Sequence, residues 1–527
     1  MVNFHPLISR NFPRILTQLN RDPNTESYGS CDRNWWHYKI RDFSSVILQQ
    51  GGYFLELVAQ LPEYNYISEQ LFEYSRATVG FWAGRATKRG AFEEYYPYEN
   101  GYPPLAFSTL AVAKIIQSQN LKTAGLENAL KKAALKLQQR FERKAANQQL
   151  AGLAALSVLR NINPEFVNSN TFDILTRQTL ELQSDEGWFS EYDGPDLGYL
   201  SVSLDCLWDL FDNTADQRFA DSATKAFRFL AKLVIHNHGS IGMHNSRNTD
   251  YIVPYGICRF LNHKNEADLS LAQKVIEILY SSVDNPEHFF QAIDDRYWSH
   301  YIGHSIVRAQ QILDNISPKA EPSSQSVNEE YFWKKCGYVI SSQNDHRIMI
   351  SCLKGGIITI RNQINYYNDF GWIIFDAGKQ YVTHWWTPST QYSVNPEELL
   401  ISGYAVQFKE NTSTPFKHFI LRSVSYFSGY RIISLLKNLL IFRKSDQRFL
   451  FKRSIQILSG KVVITDEIHG LKGHEIIVKA PRFSKRHVAS ADSFHQEDIS
   501  MVKAYVCTSK KQIDGKLFKA STIVNLD

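Results

Sequence analysis

From about residue 40 to residue 315 the apolar positions recur at helical spacing. Leu126, Leu130, Ala133, Leu137 and Phe141 fall on one helical face, and Phe219, Ala223, Phe227, Leu230 and Val234 on another. Between such runs lie short segments dense in aromatic and polar residues: CDRNWWHYK, EEYYPYENGYPP, RKAANQQ, GWFSEYDGPDLGY, HNHGSIGMHNSRNTDY and DDRYWSHYIGHS. They return roughly every 40 to 60 residues, the period of stacked or circular helical hairpins. No sequence repeat accompanies the period, so the expected repeat is one of architecture alone. A ring of hairpins brings alternate loops to one end, and these loops would then share a single mouth.

The texture changes at DNISPKAEPSSQSVNEE, where Pro, Ser and Glu dominate and a linker is expected at 316–330. Beyond it HRIMISCL, GGIITIRNQ, GWIIFDAG, HFILRSVSYF, RFLFKRSIQIL, KVVITDEI and HEIIVKA read as short strands. RIISLLKNLLIFR is apolar, short and β-rich, and Ser459–Gly460 sits between two strand runs like a hairpin turn. The expectation is a multidomain α+β chain: an (α/α) toroid of helical hairpins over 1–315, a linker over 316–330, and an antiparallel β-sandwich over 331–527.

Composition narrows the function more than the fold. The 527 residues are 43% hydrophobic and 21% charged, which excludes wholesale disorder. Aromatic residues reach 13%, with 27 Tyr and 10 Trp, and such flat rings with a polar handle suit sugars as well as cores. A net charge of +5 is too mild to argue for nucleic acid and fits an anionic ligand. No stretch approaches the ~20 apolar residues of a membrane span, and MVNFHPLISRNFPRILTQLNRD lacks a signal-peptide core. A soluble, cytoplasmic protein is expected. The six Cys are scattered with no CxxC pair, and Cys206 and Cys258, inside apolar runs, read as buried free thiols of a reducing compartment. Walker, Rossmann and kinase motifs are absent from the sequence.

The densest of the loops is DEGWFSEYDGPDLGYLS, Asp185 to Ser201, set between the runs QQLAGLAALSVL and VSLDCLWDLF. AANQQLAGLAALSVL and DEGWFSEYDGPDLGYLSVSLDCL together resemble two segments of the heparinase II/III-like polysaccharide lyases and their alginate-lyase and uronate-epimerase relatives. AANQQLAGLAALSVL resembles the family helix that begins with Asn, usually followed by His. The longer segment is similar to the turn, Glu and Tyr that enter the next family helix. The spacing and the order of helices before strands are also family-like.

The resemblance implies a lyase that takes the proton next to a uronate carboxylate and expels the 4-linked sugar. Carried over residue by residue, Asn147 matches the Asn that contacts the carboxylate, Tyr199 the proton donor or acceptor, and Glu191 the supporting Glu. Tyr192 is the rival for the Tyr role. Gln148 stands where many members have His, which removes a possible base, and the stretch comparable to the family's His-rich metal strand holds only His384. Neither metal nor cofactor is therefore expected.

Chemistry adds further candidates. The developing enediolate needs donors, and Arg247, with the Asn147 and Gln148 amides, is the best placed in sequence. Trp188 and Phe189 would form a wall of the cleft; Tyr96 and Tyr98 would form a stacking platform for sugars or a loop packed on its own rings, and Trp35, Trp36 and His37 allow the same two readings. His238 or His244 would carry a proton, since His titrates near neutrality; His300 and His304 read as packing residues one helical turn apart. The expected partner is an acidic polysaccharide or oligosaccharide. Three other readings stay open. A uronate C5-epimerase shares the first step, a glycoside hydrolase would use two of Asp185, Glu186, Glu191, Asp193 and Asp196, and a glycan-binding protein would use none of them catalytically.

Overall fold

The computed structural model describes residues 2–87, 90–286, 288–316, 330–343, 345–362, 365–395, 398–409, 412–440, 445–471, 476–481, 503–505, 507–514 and 516–526. Helices occupy the N-terminal part and antiparallel sheets most of the C-terminal part. Of the expected linker at 316–330, residues 317–329 lie outside the described residues.

The N-terminal helices form where the sequence pattern puts them. Glu127–Gln139 buries Leu130, Ala133 and Leu137, and Gln217–Asn237 buries Phe219, Ala223, Phe227, Leu230 and Val234. Starts are fixed by local chemistry. Asn168, Asp196 and Asn265 accept backbone N–H groups at the first turns of their helices, and prolines occupy the first turn of Tyr102–Ser118. Helices Gln50–Val58, Tyr102–Ser118, Ala146–Ile162, Leu197–Thr214, Tyr255–Cys258 and Gly303–Asp314 each pack on the next, and the last returns to the first. This chain of contacts is closed. The loops at the N-terminal ends of Ala146–Ile162 and Leu197–Thr214 thereby become neighbours.

Among the described residues one sheet has six strands, in the order Tyr331–Trp333, Tyr338–Gln343, His346–Ser351, Ile357–Arg361, Asn365–Asp369 and Lys503–Ala504. Its last pairing is parallel, a departure from the all-antiparallel expectation. The second sheet, among the described residues, has nine strands centred on Leu399–Phe408, Ser445–Leu458, Lys461–His469 and Leu517–Asn525. Leu458 pairs with Lys461 across Ser459–Gly460, so the expected two-residue turn is present, with Gly460 at φ +72°. Ile348, Ile350, Ile358 and Ile360 of the first sheet share a buried cluster with Ile401, Ile455, Ile464 and Phe518 of the second. Arg453 ties the two sheets. It binds Asp466 at 2.7 and 2.9 Å, Asp369 at 2.8 Å and the Gly356 carbonyl at 2.9 Å.

Two stretches read as strands are helices. HFILRSVSYF lies within Pro415–Ser428, and RIISLLKNLL is the helix Arg431–Leu440. Their β-branched and aromatic residues suggest strands, but Phe416, Phe419, Ile420, Val424 and Phe427 recur at helical spacing behind a Thr414 cap and Pro415. This helical pair is inserted between two strands that pair directly with each other.

The helical part and the sheets meet through one continuous core. Trp333, Tyr338, Met349 and Trp386 belong to the same buried cluster as the helix interiors, and Phe229 meets Trp333 edge-on at 5.5 Å. No helix among the described residues is long and apolar enough to cross a membrane. Cys206 and Cys258 are free and buried, while Cys507 is exposed.

Candidate active site

Three loops converge at the N-terminal ends of Ala146–Ile162 and Leu197–Thr214. The first two are joined at the Ala145–Glu191 bridge. The Asn147 backbone N–H donates to Glu191 Oε1 at 2.7 Å, and the Tyr192 N–H donates to the Lys144 carbonyl at 2.6 Å. The turn then closes from Glu191 N–H to the Gly194 carbonyl at 2.8 Å. Tyr192 and Asp193 sit at φ +55° and +70°, conformations that non-glycine residues adopt only when their surroundings hold them there. Gly194 is needed for another reason: a Cβ there would meet the Trp386 ring at 2.3 Å.

Asp196 organises the next step. Its Oδ1 accepts the Tyr199 N–H at 3.1 Å, capping the helix that carries Tyr199. Its Oδ2 accepts the N–H groups of Arg247 at 3.2 Å and Thr249 at 3.3 Å. The third loop is thus stitched to the second, and Ser246 adds a bond from its hydroxyl to the Glu191 carbonyl at 2.8 Å. From the sheets, Lys354 Nζ donates to the carbonyls of Met243 and Asn245 and to Asn248 Oδ1, at 2.5, 2.6 and 2.7 Å. Trp386 Nε1 donates to the Asp193 carbonyl at 3.1 Å. The strand region therefore clamps a constellation built from helical loops.

At its centre Arg247 is 4% exposed. Its guanidinium lies over the Tyr192 ring at 4.0 Å. Nε and Nη1 are buried without a hydrogen-bond partner, as are Glu191 Oε2 and Gln148 Oε1. Buried donors of this kind are rare and mark either strain or a place for a ligand. Burial alone would lower the Arg247 pKa, but Tyr192, Tyr199, Asp196 and Glu191 outweigh it and raise it. Burial pushes Glu191 up to about 8 with help from Asp196, against the Asn147 hydrogen bond and the Arg247 charge. Asp196 is pushed by burial to about 6. At neutral pH Glu191 thus carries its proton, and Arg247 faces no fully charged Glu.

No family model matches the sequence, and no curated protein matches it. Solved structures do. The Streptomyces coelicolor A3 chondroitin AC lyase, in complex with chondroitin sulphate, is 10% identical with a TM-score of 0.46, covering 99% of this chain and 80% of that one. Heparinase III is 10% identical with a TM-score of 0.41, covering 99% of this chain and 90% of that one. The likeness is to polysaccharide lyases. At such identities and TM-scores it says nothing of the chemistry, which rests on the residues above.

The remaining candidates are placed unevenly. Tyr199 is half-buried, its ring edge-on to Tyr251 at 6.4 Å. Tyr251 touches Tyr301 hydroxyl to hydroxyl, so Tyr199 heads a file of tyrosines that runs inward. Trp188 instead donates to Glu186 at 2.8 Å, and Glu186 accepts the Lys335 N–H at 2.7 Å; Phe189 is core. The expected wall is a brace toward the strands. Tyr96 is buried and Tyr98 exposed, the latter edge-on to Tyr426 at 5.1 Å, while Glu99 holds its own loop through the N–H groups of Glu94 and Tyr95.

The two histidines depart from expectation. His238 is exposed at the left-handed end of helix Gln217–Asn237, and its carbonyl accepts from Arg361 at 3.1 Å, at the edge of the six-stranded sheet. His244 is buried between Ser351 at 2.9 Å and Thr359 at 2.7 Å, and burial, with Lys354, pushes it down to about 3. A His so placed stays neutral and acts as a strut instead of a proton carrier at neutral pH. His300 sits in an irregular turn just before the helix that begins at Gly303, so the expected continuous helical turn to His304 is broken.

Sequence reasoning missed Asp196 as an organiser, although its position before an apolar helix is a cap signal. Lys354 and Trp386 lie too far along the chain to be found by spacing, and Tyr251, though it ends the quoted HNHGSIGMHNSRNTDY loop, carries no local signal that links it to Tyr301. His384, fully buried, adjoins Trp386 in the same loop. Among the described residues no group of three or more His, Cys, Asp or Glu is arranged to hold a metal ion.

Proposed function

We propose that this protein is a polysaccharide lyase acting on a uronic-acid-containing polymer or oligosaccharide, with its helices forming an (α/α) toroid against a β-sandwich. One observation carries the reading: the buried Arg247 guanidinium, with two nitrogens lacking a partner, stands beside the aromatic hydroxyl residues Tyr192 and Tyr199. A uronate carboxylate is the anion that fits such a donor, and pairing it there stabilises the enediolate that forms when the neighbouring carbon loses its proton.

Tyr199 takes that proton as the phenolate. The electron pair of the C–H bond becomes the new C=C bond, the bond to the 4-linked oxygen breaks, and the leaving oxygen receives a proton from a tyrosine hydroxyl. Gln148 and Asn147 add uncharged donors to the carboxylate. Glu191, protonated at neutral pH, presents Oε2 as a donor instead of a competing anion. Tyr192 holds the guanidinium in plane by stacking.

The test is ultraviolet absorbance of the unsaturated product over a panel of uronate polymers that includes chondroitin sulphate. Tyr199→Phe is expected to lower turnover about 10²- to 10⁴-fold while oligosaccharide binding is kept. Saturated products, or turnover unchanged in Tyr199→Phe, would overturn the reading.

A further inference from the structure

The helices Pro415–Ser428 and Arg431–Leu440 have no part in the site above, and their surface is unlike the rest of the molecule. Phe416, Phe419 and Phe427 are 70%, 68% and 79% exposed, and Ile420 and Val424 share their side of the helix. Leu435 of the second helix is also exposed. The pair is anchored elsewhere: Ser425 is buried, Arg422 binds Asp42 at 2.7 and 3.0 Å, Tyr426 meets Tyr98 at 5.1 Å, and between the helices the Arg140 guanidinium covers Tyr430 at 4.4 Å. So large a contiguous apolar face is rare on a protein that binds nothing there.

Its charge says what covers it. Between Glu410 and Asp446 the chain has no acidic residue, while Lys417, His418, Arg422, Arg431, Lys437, Arg443 and Lys444 fall in this interval. An apolar stripe in a purely basic segment is the pattern of a helix that lies in the plane of a bilayer. A second copy fits poorly, because a self-complementary contact sets each basic segment against its twin. Neither helix is long and apolar enough to span a bilayer.

We infer that this helical pair docks the protein on an anionic lipid surface, with Phe416, Phe419 and Phe427 entering the headgroup boundary and Lys417 and Arg431 meeting lipid phosphates and carboxylates. The contacts of Tyr98 and Arg140 make the docked helices a flank of the EEYYPYENGYPP loop. The inference is independent of the reaction assigned above.

Sedimentation of the full chain with vesicles tests it. Binding is expected to vesicles of phosphatidylcholine mixed with phosphatidylserine, and to be weaker by at least about tenfold on phosphatidylcholine alone or at raised salt. Phe416→Ser/Phe419→Ser/Phe427→Ser should reduce it by a similar factor with unchanged circular dichroism and unfolding transition, since all three side chains are exposed. Lys417→Gln/Arg431→Gln should weaken it roughly thirtyfold at low salt. Absence of wild-type binding to the serine-lipid vesicles, or binding undiminished in the triple variant, overturns the inference. So does a concentration-dependent dimer that the triple variant abolishes, which would assign the face to a second copy.

Discussion

The helix Leu197–Thr214 carries a buried charge cluster toward each end, and the two differ in one respect. Toward its C-terminal end Asp209 receives Lys114 Nζ and Arg308 Nη2, both at 2.5 Å, and the Arg308 guanidinium also stacks on Tyr255 at 3.4 Å. Burial would raise the Asp209 pKa, yet the two cations outweigh it and hold the carboxyl below its usual range. At the N-terminal end Glu191 and Asp196 face one cation, Arg247, whose Nε and Nη1 have no partner. There burial wins, and Glu191 reaches about 8. Arg308 Nη1 is also buried without a hydrogen-bond partner, so the clusters differ in their carboxylates: Asp209 is bound by two cations, whereas Glu191 Oε2 has no partner and is poised for something the fold does not supply.

Three substitutions sharpen or break this contrast, beginning with the largest effect. Asp209→Asn leaves Lys114 and Arg308 buried without their counter-ion, so unfolding free energy should fall by about 3–5 kcal/mol. A loss under about 1 kcal/mol in denaturant titration would remove the distinction between the clusters. Arg247→Met should do the opposite. Activity on a uronate substrate falls about 10²- to 10³-fold, while the unfolding midpoint stays near that of the wild type; if the main loss is in stability, Arg247 belongs with Asp209.

The smallest effect is a matter of pH. An unfolded Glu titrates near 4.3, whereas Glu191 in the fold titrates at about 8. Between those values the folded state binds the extra proton. The stability Glu191 contributes is therefore complete below about 4.3 and is lost as pH rises through the folded value. Glu191→Gln keeps the protonated shape at every pH. The wild-type decline in stability from about pH 5 to pH 9 should flatten in the variant by about 1–3 kcal/mol. Parallel pH profiles for the two proteins would show that Glu191 is ionised in the fold and paired after all.

Legibility in the sequence varies with the range of the interaction. Helix faces such as Phe219 to Val234 are readable because their periodicity and their burial are the same fact. Asn147, Glu191 and Tyr199 stand out through the resemblance carried by two neighbouring segments, and Arg247 because it is the cation in a polar loop. The helices at 415–440 mislead: their aromatic and β-branched content outweighs a spacing of three and four residues that the Thr414–Pro415 start reinforces. Proton transfer by His238 or His244 rests on the ordinary His pKa, which partial burial and the charges of Arg361, Arg347 and Lys274 lower for His238, and which burial and Lys354 lower to about 3 for His244.

By itself the sequence determined the order of helices before strands and the small set of loops from which a site could be drawn. These follow from local geometry, since 3.6-residue and 2-residue periods decide which side chains share a face. Only the tertiary structure decided which charges are satisfied. Lys354 reaches the 243–248 loop from more than a hundred residues away, Trp386 presses on Gly194 from nearly two hundred, and Lys114 and Arg308 close on Asp209 from separate helices. Pairing of buried charge depends on distances of a few ångströms between remote segments, and it is that pairing which separates the Asp209 cluster from the Glu191–Arg247 cluster.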